Sequence, residues 1–83
     1  MGEEEARRQT LLGNLAAHAA PARQRLYLSV WDTARLAGLT LQAVEAIEQG
    51  KACMLPPAVL AEFAAFLGLT EAGLPRPRHP GMR

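Results

Sequence analysis

The sequence predicts an all-α fold, and three observations carry that prediction. Hydrophobic residues make up 49% of the chain and aromatic residues only 5%. Most of the apolar residues are Ala and Leu, which favour helix, and β-branched residues that would favour strands are few. Between Ser29 and Gly50, Ala34, Gly38 and Val44 stand at spacings that suit two short helices joined by a tight turn. The small Ala34 lets the second helix approach, Gly38 permits positive φ in the turn, and Val44 fills the space between the helices. Finally, cap and stop residues punctuate the chain at helical lengths.

The elements follow in order. Residues 3–20 read as a helix: Glu3, Glu4 and Glu5 suit its positive end, and Leu12, Leu15, Ala16 and Ala19 recur at helical spacing. Inside a helix, Pro21 removes a hydrogen bond and crowds the preceding turn, at about 3 kcal/mol. A break or sharp kink is therefore expected at Ala20–Pro21, with a short helix continuing to about Leu26. Ser29 caps a helix over Val30–Ala37, with Asp32 placed for a variant capping box, and Gly38 ends it. Thr40 caps the next, over Leu41–Gln49, which Gly50 ends and Lys51 follows. Pro56 and Pro57 open a helix over Ala58–Leu67 with Val59, Leu60, Phe63 and Phe66 or Leu67 on its apolar side, and Gly68 stops it. Thr70 and Glu71 start a last helical turn that Pro75 ends at Leu74. The organisation expected is an N-terminal helical extension (1–20), a domain (21–74) and a disordered tail (75–83) with three prolines and three arginines.

Eighty-three residues allow one small core. A formal net charge of +1 supplies no strong overall field toward nucleic acid or membrane. The N-terminus lacks the pattern of a signal peptide, and no run approaches the roughly 20 apolar residues that span a bilayer. The single cysteine, Cys53, has no internal disulfide partner, which fits a reducing cytoplasm. His18 and His79 have no companions at ligand spacing, so neither a metal nor another cofactor is expected. With no nucleophile–base pair, Gly-rich phosphate loop or paired carboxylates, the expectation is that this is not an enzyme.

The run Ala37-Gly-Leu-Thr40, then Val44-Glu-Ala-Ile-Glu-Gln-Gly50, resembles the lambda-repressor-like helix-turn-helix family, the XRE or Cro/C1 type. Leu28-Ser29, Ala34, Leu60, Phe63, Ala64 and Leu67-Gly68-Leu69 extend the resemblance over roughly Arg23–Leu74. It implies a five-helix domain that binds operator DNA as a dimer, with the helix 41–49 in the major groove. It also implies an ion pair between Arg23 and Glu48. Departures from the family are plain. Val30, beside Trp31, stands where phage members keep a polar phosphate contact. Thr33 replaces a large apolar core residue, and Pro21 falls within the first helix.

The recognition positions are Thr40, Leu41, Gln42, Glu45, Ala46 and Gln49. Gln42 alone of the first two helical residues keeps a base-reading side chain, able to bond adenine in bidentate fashion; otherwise it is an ordinary exposed polar residue. Glu45 opposes phosphates unless it accepts from a cytosine amino group. Arg23, Arg25, Arg35 and Lys51 are candidate phosphate contacts, or else solvated surface charges with Arg23 a structural partner. Val30, Trp31 and Leu41 are a candidate patch for a protein partner, since an exposed apolar patch requires one. The expected function is a cytoplasmic, sequence-specific transcriptional regulator that binds double-stranded DNA as a homodimer, with no membrane contact. The alternative is a protein-interaction module, adaptor or antitoxin, built on the same fold. Helix-turn-helix domains attached to the bacterial actin-like cytoskeleton are the precedent, and Leu55-Pro-Pro-Ala-Val59 resembles their sequence.

Overall fold

The computed structural model describes residues 2–51 and 54–77. Four helices and no strand occur among them: α1 (Glu3–Arg25), α2 (Val30–Ala37), α3 (Leu41–Gln49) and α4 (Pro57–Phe66). Helix α1 packs against both α3 and α4, and α2 packs against α3. Leu11, Leu12, Leu15, Ala19 and Ala22 of α1 share one core with Ala34, Val44, Ile47, Leu60 and Phe63. The boundary expected at residue 20 therefore falls inside a single helix, and the first 20 residues contribute to the same core.

The break expected at Pro21 does not occur, and α1 continues through it. Pro21 removes the hydrogen bond to the carbonyl of Ala17, and both residues are exposed. The lost bond thus falls on the exposed side of the helix, where water can replace it. On the opposite side, buried Leu15, Ala19 and Ala22 anchor the helix before and after the proline. At about 0.8 kcal/mol per buried methylene, a few such side chains offset one lost bond. At the other end of the helix, a hydrogen bond from Gln9, then one from Arg8, holds the Glu5 carboxyl below its ordinary range.

The five-helix count is also not supported. After Thr70 the chain makes one turn, in which the Thr70 N–H donates to the Leu74 carbonyl at 2.8 Å and the Gly73 N–H to the Thr70 carbonyl at 2.9 Å. The first bond runs opposite to the helical direction, so a fifth helix cannot start here. The Asn14 side chain ties this turn to α1 by donating to the Ala72 carbonyl at 2.8 Å. Residues 75–77 have no regular structure. The rest of the expected disordered tail, with His79, lies outside the described residues, as does Cys53. Helix α4 starts one residue earlier than expected, with Pro57 in its first turn, where the missing N–H has no helical partner to lose.

Candidate nucleic-acid interface

Local chemistry fixes both ends of α2 and α3. Ser29 Oγ accepts from the Asp32 N–H at 3.0 Å, and Thr40 Oγ1 accepts from the Ala43 N–H at 3.0 Å. Each contact satisfies one of the donors left open in a first helical turn. The capping box is only half made, because the Asp32 carboxylate accepts from Arg35 at 3.1 Å instead. Gly38 and Gly50 end the two helices with φ of 73° and 72°, the left-handed region expected of the turn. Thr33, buried at 0% exposure, donates its hydroxyl to the Ser29 carbonyl at 2.9 Å, so its polar group is satisfied at the position where the resemblance implied an apolar side chain.

With Val44 and Ile47 buried, α3 turns a polar stripe outward. Gln42, Glu45 and Gln49 are exposed on one face at helical spacing, and Thr40 is exposed at its start. Leu41 and Ala46 are half-buried at its margins. The two glutamines offer paired donors and acceptors of the kind that read base edges, while Glu45 offers only an acceptor.

The four candidate phosphate contacts separate. Arg23 Nε donates to Glu48 Oε2 at 2.6 Å and Nη2 to Oε1 at 3.2 Å, while Nη1 donates to the Leu28 carbonyl at 2.9 Å. Only 12% of the Arg23 side chain and 13% of that of Glu48 is exposed, so this guanidinium is committed inside the protein. The pair joins α1 to the end of α3, as the resemblance implies. Arg25 is exposed but lies on the other side of α1. Ala16 and Arg23 turn toward Gly50 and Glu48, and Arg25 is nine residues from Ala16, about 180° around a helix at 3.6 residues per turn. Arg35 and Lys51 are left as exposed cations on α2 and immediately after α3, Arg35 with Asp32 beside it.

The candidate partner patch separates as well. Trp31 is 71% exposed, but Val30 and Leu41 are half-buried and Val30 packs against the core. Other exposed apolar residues include Tyr27, in the turn between α1 and α2, and Leu36 on α2, neither of which the sequence singled out.

Residues 14–76 match the family described as Helix-turn-helix domain. The chain belongs to that family. The helix-turn-helix match covers α2 and α3, α4, and α1 from Asn14 onward. No curated protein and no solved structure gives a match. Among the described residues, no group of three or more metal-binding side chains occurs, and no helix is long and apolar enough to cross a membrane.

Proposed function

We propose that this helix-turn-helix protein is a sequence-specific DNA-binding transcriptional regulator of the phage-repressor type, acting in the cytoplasm as a homodimer and without enzymatic activity. The exposed stripe Gln42–Glu45–Gln49 on a helix held at both ends supports this reading most directly. Helix α3 lies in the major groove with Gln42 nearest the bases, and two copies read half-sites about 34 Å apart. Arg35 and Lys51 hold phosphates.

With Arg35 and Lys51 the exposed candidate contacts on α2 and after α3 among the described residues, the electrostatic component they supply is small. Each protomer gives a slope of roughly −2 in log affinity against log salt, at about −0.9 per phosphate contacted. Titration of mixed duplex DNA at several salt concentrations tests this. Gln42→Ala should lose about 1–3 kcal/mol of discrimination at one base pair, while Lys51→Ala weakens all duplexes alike. Absence of binding at low salt would discard the reading. The alternative, a protein-interaction module, would rest on Trp31 with little help from Val30 or Leu41.

A further inference from the structure

On the side of α1 away from α3, an open cleft of about 410 Å³ lies between α1, the end of α4 and the start of the tail. Its polar groups are the imidazole of His18 and the guanidiniums of Arg25 and Arg76. Its apolar walls are Pro21, Leu69 and Pro75, and no carboxylate lines it. His18, Pro21 and Arg25 fall on one helix face at steps of three and four residues. Arg76 arrives from far along the chain, brought back by the Thr70–Leu74 turn and the Asn14 bond to Ala72. Compensation of the α1 dipole accounts for Arg25, which sits in the last turn. It does not account for Arg76, which no helix carries, or for His18, two turns back.

We propose that this cleft binds a small organic phosphate, with the phosphate between Arg25 and Arg76 and the apolar portion against Pro21, Leu69 and Pro75. In a chain of net charge only +1, two guanidiniums and an imidazole share one concavity. Guanidiniums offer paired donors that match phosphate oxygens. The volume falls in the range of small-molecule sites, about 300–1,000 Å³. The cleft is on the opposite side of α1 from α3, so a duplex docked on α3 does not occupy it, and the site stands whether or not α3 reads DNA.

The test is an NMR titration of the full chain with phenyl phosphate, with inorganic phosphate and phenol as separate arms. Phenyl phosphate should produce saturable shifts at the His18 ring and the Gly68 and Leu69 amides, and should bind more tightly than either part alone. Arg25→Ala and Arg76→Ala should each weaken binding about tenfold, as loss of a charge-assisted hydrogen bond does. Both side chains are exposed, and circular dichroism verifies that the fold survives. Shifts that never saturate, or variants that bind like the wild type, overturn the proposal. Equal affinity for inorganic phosphate overturns its apolar half. Displacement of phenyl phosphate by duplex DNA would make the cleft a DNA-backbone contact and overturn it too.

Discussion

Between Ser29 and Gly50, each helix boundary is set by a device within a few residues: a hydroxyl cap, a left-handed glycine, a second cap, a second glycine. Helix α1 has no side-chain cap at its start and carries a proline in its interior, yet it runs unbroken from Glu3 to Arg25. In the first region, local chemistry and tertiary packing agree. In the second they conflict, and burial of one face of α1 against α3 and α4 decides the outcome. Where a helix ends is thus a local matter, whereas whether it survives a proline depends on what its buried side gains.

The largest effect should come from removing that gain. Leu15 is fully buried, so Leu15→Ala should cost about 2–5 kcal/mol in denaturant unfolding. A loss below 1 kcal/mol would mean that the N-terminal part of α1 is an appendage. Next are the two glycines, which share a backbone conformation but differ in surroundings. A Cβ at Gly38 meets nothing within 4 Å, whereas one at Gly50 lies 3.1 Å from the Ala16 Cβ. Gly38→Ala should cost about 1 kcal/mol from backbone strain alone, and Gly50→Ala measurably more. Equal costs would remove the role assigned to α1 at that turn. Pro21→Ala restores a hydrogen bond on the exposed side and should stabilise by about 1–2 kcal/mol, part of the 3 kcal/mol being returned by a more flexible unfolded chain. A destabilised variant would show that α1 needs its proline. Trp31→Ala, at an exposed site, should change stability by less than about 0.5 kcal/mol. If it also leaves DNA affinity intact, and the protein captures no partner through it, the protein-interaction alternative loses its main residue.

Much of α2 and α3 was legible because Ser29, Gly38, Thr40 and Gly50 act on their own neighbours. The Arg23–Glu48 pair was legible only through the family resemblance, since no local pattern links residues so far apart. Pro21 misled because the offsetting burial of Leu15, Ala19 and Ala22 depends on partners in α3 and α4. The last turn misled for a related reason: Thr70 bonds forward to Leu74 in place of starting a helix, a choice its composition does not reveal. At the candidate site, the exposure of Gln42, Glu45 and Gln49 followed from helical spacing. The parting of Arg25 from Arg35 and Lys51 required knowing which side of α1 faces α3.

Arg23 has a consequence for binding as well as for structure. One guanidinium fastens three separate stretches of chain: its own helix, the end of α3 through Glu48, and the approach to α2 through the Leu28 carbonyl. Through these three bonds the α2–α3 pair is tied to α1 at two places, Leu28 before α2 and Glu48 near the end of α3. If α3 reads DNA as proposed, a helix held in this way arrives already oriented, and little ordering entropy is left to be lost on contact.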